Sequence, residues 1–303
     1  MLIVVDLVLV WAAFAAGARQ PAVVPPVFDA GAASETRAPA SPSTATPTPE
    51  PSAAPDAGAS TESGPSPAMA APSLVLAALD DRIAYRAPAG ECPAVPAAVE
   101  VTTDGGATWS AVPVGDAFGV IRIEPSAEEI VDVLAGDAAC QPGRYRSWVQ
   151  GIEWQFLTGV QPWRLSAGAV VAPDGRTFTP CSAPVQVEAA TDASVAVACT
   201  DARVAVTEDG GGTWQVSEPI SGLAAVADDG ESTLVLIEGQ GGCAGVQVAG
   251  LDDAGVVGTP GGCLAAATIN GGGPALAISE NGTTVWVVGD GIVGRSGDRG
   301  ATW

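Results

Sequence analysis

All twelve basic side chains in this chain are arginine, and it contains no lysine and no histidine. Without histidine there is no Ser-His-Asp triad, no Cys-His dyad, no His-ligated zinc site and no imidazole base. Arginine, carboxylates, thiols and two tyrosines are what remains for chemistry. Arg144, Arg146 and Arg164 can bind an anion, or they can simply balance an acidic surface. Tyr145 stands between Arg144 and Arg146, with Glu153 eight residues on. The acidic pairs Asp80-Asp81, Glu128-Glu129, Asp228-Asp229 and Asp252-Asp253 read as solvated turns. Carboxylate density leaves a calcium site conceivable, but no D-x-D-x-D-G loop with a distal glutamate is present. Gly271-Gly272-Gly273 is followed by no helical pattern and is read as a loop, not a phosphate cradle. Asn281-Gly282-Thr283 fits a glycosylation sequon, although Asn-Gly is first of all a hairpin turn. No catalytic residue, cofactor or metal ligand is assigned. With 34 acidic residues against 12 arginines the net charge is −22, which excludes nucleic acid as a partner.

These residues sit in a chain of 303 residues that divides into three parts. Residues 1–18, MLIVVDLVLVWAAFAAGA, are apolar except for Asp6 and predict a hydrophobic helix. The length suits either a short membrane anchor or a signal peptide, and Ala16-Gly17-Ala18 is compatible with cleavage. The basic residues usual before such a run are missing, which suggests a start site placed too far downstream. No cysteine precedes Cys92, so a bacterial lipobox is excluded. Residues 19–72 hold 12 of the 25 prolines, with Ala, Ser and Thr between them. Such a stretch buries too little apolar surface to order itself and predicts a disordered, extended linker. As a flexible coil its 54 residues would span about 40 Å, and proline lengthens that. Residues 73–303 carry 28 acidic residues against ten arginines, so −18 of the charge belongs to this part.

Within 73–303 the apolar segments are short, alternating and rich in valine: SLVLAAL, AAVEVTT, PVQVEAA, SVAVACT, RVAVTED, STLVLIE, TTVWVVG. Gly, Asp, Asn and Pro separate them, which predicts many short antiparallel strands. Ser126–Gly136 is the one stretch with a helical alternative, and we read it as a turn followed by a strand.

Three segments repeat a form, [ST]-x-D-x-G-x-T-W. They are Thr102-Thr103-Asp104-Gly105-Gly106-Ala107-Thr108-Trp109, Thr207-Glu208-Asp209-Gly210-Gly211-Gly212-Thr213-Trp214 and Ser296-Gly297-Asp298-Arg299-Gly300-Ala301-Thr302-Trp303. Glycine at the fifth position permits positive φ. The aspartate can take hydrogen bonds from turn amides and from the later threonine hydroxyl. The tryptophan can fold back and bury its ring under the turn.

These segments resemble Asp-boxes (BNR repeats), the hairpin signature of sialidase-like β-propellers. The same box occurs in propellers similar to the photosystem II assembly/stability factor family and in secreted bacterial repeat proteins. The resemblance implies an all-β propeller of four-stranded blades, with the boxes on its outer rim and away from any central site. The spacing from Asp104 to Asp209 is 105 residues and from Asp209 to Asp298 is 89. At about 40–50 residues per blade each interval holds two. A degenerate turn is expected at Leu251-Asp252-Asp253-Ala254-Gly255 and another near Gln150–Trp154. This gives about five blades, or six if residues 160–179 form a further sheet. The last box ends at Trp303, so a strand for the last blade comes from around Ser73–Leu79, or the chain is truncated.

The hairpin map also narrows the fifteen pairings open to six cysteines. Cys181–Cys199 and Cys243–Cys263 each flank one predicted turn, and Cys92–Cys140 occupy comparable loops of two neighbouring blades. Reduced core thiols are the alternative. Disulfides imply an oxidising compartment. There is no C-x-x-C, hence no thioredoxin-like or zinc-ribbon chemistry.

Sialidase-type chemistry, which the resemblance brings into view, needs an arginine cluster, a tyrosine nucleophile with a carboxylate partner and an acid/base aspartate. Tyr145 with Glu153 is the only candidate pair, the other tyrosine being Tyr85. Arg122-Ile123-Glu124-Pro125 resembles the Arg-Ile-Pro element of sialidases only in part, since Glu124 intrudes and the first box comes before it. The expectation is therefore a non-catalytic, extracytoplasmic propeller, membrane-anchored or secreted at a bacterial surface. It would bind a protein or a cell-envelope glycan. A secreted sialidase-type exo-glycosidase and a purely structural envelope domain are the alternatives.

Overall fold

Short valine- and alanine-rich segments fold back on one another wherever Gly, Asp or Asn permits a tight turn. The computed structural model describes residues 68–90, 92–159, 161–265, 273–289 and 291–303. The N-terminal segment 1–18 and the linker up to residue 67 lie outside the described residues. Gly271 and Gly272 do as well.

Among the described residues there are strands and turns and no helix, so the fold is all-β. Nor is any described helix long and apolar enough to cross a membrane. The strands form five sheets, each running in chain order. The first holds β1 (Leu74–Ala78), β2 (Ala84–Pro88), β3 (Pro96–Thr102), β4 (Ser110–Pro125), β5 (Val131–Gly136), β6 (Pro142–Ser147) and β7 (Gln155–Leu157). The second holds β8 (Arg164–Ser166), β9 (Ala169–Val171) and β10 (Thr177–Phe178), inside the region 160–179 singled out above. The third holds β11 (Pro184–Ala189), β12 (Val195–Cys199), β13 (Val204–Thr207) and β14 (Gln215–Val216). The fourth holds β15 (Leu223–Asp228), β16 (Thr233–Glu238), β17 (Gly245–Leu251) and β18 (Leu264–Ala265). The fifth holds β19 (Ala275–Ile278), β20 (Val285–Gly289) and β21 (Ile292–Ser296).

The seven-stranded sheet is two meanders sharing one bent strand. Ser110–Pro113 of β4 pairs with β3, whereas Phe118–Pro125 pairs with β5. Gly115 (φ 50°) and Gly119 (φ 54°) lie where β4 changes partner, a bend that side chains with a Cβ resist. Ser126–Ile130 is a turn and β5 a strand, as the sequence indicated.

Two of the second strands, β5 and β12, are buried on both faces. All six residues of β5 and all five of β12 are buried. This is what valine and alanine at consecutive positions permit when sheets pack face to face. One core cluster lies between the two meanders of the first sheet, and the others join neighbouring sheets, such as Val197 and Val170 between the third and second, or Val287 and Leu236 between the fifth and fourth. The first and fifth sheets also meet. Trp286 is fully buried with Ala78, Ala84 and Ala277, and its Nε1 donates to the Asp80 carbonyl at 2.8 Å.

Two expectations need correction. Ser73–Leu79 does not complete the last sheet. Its strand β1 pairs with β2, and only the single bridge Ala78–Ser279 touches the fifth sheet. The reason is local: a five-residue turn puts β1 and β2 in hairpin register. Packing also begins before residue 73. Met69 is 5% exposed among Ala196, Val204 and Ile220, and its N–H donates to the Thr200 carbonyl at 2.9 Å.

The three repeated turns share one hydrogen-bond pattern. Thr102 Oγ1 donates to Asp104 and accepts from the Gly106 N–H at 2.9 Å, while Asp104 accepts from the N–H and hydroxyl of Thr108. Thr207 with Asp209 and Ser296 with Asp298 repeat it bond for bond. Trp109, Trp214 and Trp303 pack into clusters between sheets. The hydroxyl of Thr108 holds the Asp104 carboxyl down at about 2, and that of Ser296 does the same for Asp298. Asp209 is lowered, first by the Thr213 N–H. A carboxyl whose folded pKa is depressed stabilises above its unfolded value, near 4, and loses that as pH falls through the folded one. Asp209→Ala should therefore lower the melting temperature more at pH 7 than at pH 2. Equal losses at both would disprove the ionic clamp.

Candidate functional site

The first strands of the meanders border a common space. Residues of β1, the second half of β4, β8, β11, β15 and β19 line one cavity of ≈ 1000 Å³. Most of the lining is small and aliphatic, such as Ala77, Val187 and Ala277, which keeps the space open. Its charged members are Arg122, Glu124, Asp132, Arg144, Arg146, Arg164, Glu188, Asp228 and Glu280.

Strand alternation explains why these residues meet. Arg122 and Glu124 are two apart on β4, Arg144 and Arg146 on β6, Gln186 and Glu188 on β11, so each pair shares a face. Asp132 is the hub, with a side chain 5% exposed. It accepts from Arg146 Nε at 2.7 Å and Nη2 at 2.6 Å, and from Arg144 Nη1 at 3.1 Å. Arg144 reaches Glu124 at 3.1 Å and Arg122 reaches it at 3.2 Å. Arg122 also donates to the Ala189 carbonyl, tying β4 to β11 across the cavity. Three arginines thus share two carboxylates, leaving local positive charge. Among the described residues Arg164 has no carboxylate within 4 Å; its Nη1 donates only to the Pro162 carbonyl at 3.4 Å.

The opposing wall carries two carboxyls that resist ionisation. Glu188 keeps some exposure to the cavity, but the protein around it removes most of its water, and this desolvation pushes it up to about 7. Gln186 Nε2, donating at 2.8 Å, and Arg122 act the other way more weakly. Asp228 is raised by burial too, although it accepts from the Gly230 N–H and the Ser194 hydroxyl, both at 2.9 Å.

The structure gathers Arg144, Arg146 and Arg164 into the cavity together with Arg122 and Glu124, and it leaves Tyr145 out. Tyr145 alternates with the arginines on β6 and faces the core, 8% exposed, with its ring 5.1 Å from that of Phe156. Glu153 lies in the exposed turn between β6 and β7. Tyr85 is 1% exposed and its hydroxyl is pushed up to about 12 by burial. The candidate nucleophile therefore does not reach the charged site. Asp80 and Asp252 accept turn amides, as solvated turns do, whereas the Asp228-Asp229 pair is not solvated: the Asp229 side chain is 8% exposed and pairs with Arg299 at 3.0 Å, and Asp228 faces the cavity. The turn after β17 is held by Asp252 rather than by Asp253, which stands at the motif's aspartate position. Glu188 and Asp132 are candidate-site residues that the sequence pattern does not single out, and Asp228 is one that it assigns to a solvated turn. Among the described residues no group of three His, Cys, Asp or Glu side chains could hold a metal ion.

Three disulfides brace the frame: Cys92–Cys140 between the first two meanders, Cys181–Cys199 across the β11–β12 hairpin and Cys243–Cys263 across the β17–β18 hairpin. No cysteine is free.

No family model and no curated protein matches the chain. Its solved neighbours include propeller proteins. "YCF48 bound to D1 peptide" is 16% identical, with 78% of this chain and 83% of that one covered and a TM-score of 0.29. YCF48 from Cyanidioschyzon merolae is 14% identical over 75% and 67%, with a TM-score of 0.28. A GH74 xyloglucanase from Xanthomonas campestris is 18% identical, with 76% of this chain but only 37% of the enzyme covered and a TM-score of 0.29. No ligand or activity of this chain follows from these likenesses. The charged cavity is the part of the molecule on which a functional reading can rest.

Proposed function

We propose that residues 68–303 form a β-propeller that acts as a non-catalytic, extracytoplasmic binding module at the cell envelope. Its repeated turns are read as Asp-boxes. The seven-stranded sheet counts as two blades, giving six in all. The observation that carries the reading is the gathering of Arg122, Arg144, Arg146 and Arg164 around one cavity while both tyrosines face the core. Such a cavity receives an anionic group, carried by a protein or by an envelope glycan. Three disulfides without a free cysteine suit an oxidising, extracytoplasmic compartment. Residues 1–18 would anchor the chain or direct its export, and 19–67 would hold the domain off the membrane.

Two probes, sialyllactose and an acidic peptide, separate the glycan and protein arms when titrated into the full chain. Binding of one of them should weaken about tenfold or more in Arg164→Ser, which removes a charged hydrogen-bond donor. It should be stronger at pH 6 than at pH 8, because protonation of Glu188 removes a negative charge from the site. Glu188→Gln should flatten that dependence. A fluorogenic sialoside should not be turned over. Hydrolysis abolished by Tyr145→Phe would replace this reading with the glycosidase one.

A further inference from the structure

A fourth turn shares the backbone of the three repeated ones but not their surface. It runs from Ser147 to Trp154 between β6 and β7. Gln150 and Gly151 have φ of 58° and 91°, beside 69° and 86° for Gly210 and Gly211 and 58° and 87° for Arg299 and Gly300. The Ser147 hydroxyl accepts from the Gly151 N–H at 2.8 Å, as Thr102 does from Gly106. The Gln150 N–H donates to the Glu129 carbonyl at 2.9 Å, just as Gly105 donates to Arg82 and Gly210 to Ala193. The clamp aspartate is gone, and Val149 stands in its place. Gln150 compensates by donating its side-chain amide to the Glu128 carbonyl at 3.0 Å. The turn thus keeps the siblings' backbone course without their ionic clamp.

Three positions have become large and apolar. Where the siblings carry Thr103, Asp104 and Ala107, or Glu208, Asp209 and Gly212, or Gly297, Asp298 and Ala301, this turn carries Trp148, Val149 and Ile152. They are 45%, 42% and 78% exposed. Among the described residues eight large apolar side chains are exposed, and three of them fall within these five positions. A rigid apolar tip where the fold itself accepts polar or small residues is a mark of a partner rather than of packing. Glu128, Glu129 and Glu153 stand around the tip, exposed and without ion-pair partners among the described residues.

We infer that the 147–154 turn is a docking surface for a protein segment whose apolar side chains are flanked by lysine or arginine. The apolar tip supplies the buried contact and the three glutamates select the positive flanks. A second copy of this chain is a poor occupant, because residues 73–303 carry 28 acidic residues against ten arginines and no lysine. This surface adjoins the cavity only through Arg146, whose guanidinium lies 6.0 Å from the Trp148 ring, and it goes beyond the reading proposed for the cavity.

The test uses the full chain and fluorescein-labelled peptides followed by anisotropy. One peptide alternates lysine with valine and tryptophan, a second replaces lysine by glutamate, and a third keeps lysine but replaces the apolar residues by serine. The first should bind, and its affinity should fall about tenfold or more in Trp148→Ser/Ile152→Ser. That variant should melt like the parent, since both side chains are exposed. Glu128→Lys/Glu153→Lys should weaken the first peptide and gain affinity for the second. Equal binding of the third peptide, parent-like binding by the serine variant, a concentration-dependent dimer lost in that variant, or tip-dependent binding to phosphatidylcholine vesicles would each overturn the assignment.

Discussion

Trp286→Ala is expected to cost about 3–5 kcal/mol of folding stability, the range for a fully buried large aromatic. The ring is 0% exposed and sits where the first and fifth sheets meet. Its neighbours there are small: Ala78, Ala84 and Ala277 cannot expand into the space it leaves. Val288, on the same strand, is also fully buried and fixed. The loss includes a hydrogen bond that spans 206 residues of sequence, from Nε1 to the Asp80 carbonyl. The backbone depends on the ring as well, because a Cβ added to Gly106 would lie 3.2 Å from it. Trp286→Phe keeps most of the apolar contact and loses the donor, so it should cost about 1–2 kcal/mol. Chemical denaturation of the two variants checks both values. A loss below about 1 kcal/mol for alanine would mean that the seam is not closed by this residue.

The contrast between turns and cavity explains what the sequence could reveal. A turn such as Thr207–Trp214 is specified within eight residues, so its hydroxyl, carboxylate and positive-φ glycine are all visible in one stretch. The 147–154 turn lacks its aspartate and was expected only from blade spacing; the serine and glycine that hold it were not singled out. The cavity is another matter. Arg122 and the Ala189 carbonyl it contacts are 67 residues apart, and no local rule brings β4 to β11. Alternation alone separates Tyr145 from Arg144 and Arg146, but only its packing with Tyr85 and Val133 in the core of the first sheet decides which face is core. Glu188 was invisible for a similar reason. Its raised pKa comes from burial created by other sheets and not from its own strand. The bend in β4 was hidden because one strand serves two meanders, and a period of two continues through it on either side.

Removal of the disulfides should have the larger combined effect. Linking positions 48 residues apart, as Cys92–Cys140 does, takes about 4 kcal/mol of loop-closure entropy from the unfolded chain. Separations of 18 and 20, at Cys181–Cys199 and Cys243–Cys263, each take about 3 kcal/mol. The long bridge also does structural work that its neighbours do not. It ties the β2–β3 loop to the β5–β6 turn, so it adds a covalent restraint between two meanders that share the bent strand β4, one core cluster and the Ala89–Val120 bridge. The short bridges close single hairpins whose strands are already paired. Cys92→Ala/Cys140→Ala should therefore lower the melting temperature more than either short-bridge pair, and alanine avoids burying a new hydroxyl at these sites. Losses of this size together reach about 10 kcal/mol, within the whole stability of an ordinary domain at about 5–15 kcal/mol. Dithiothreitol should consequently unfold the protein, or make it protease-sensitive, at a temperature where the oxidised form is intact. That result ties folding to an oxidising compartment by energy and not by sequence pattern alone. A protein that melts at the same temperature with and without reductant would remove the physical ground for placing it outside the cytoplasm.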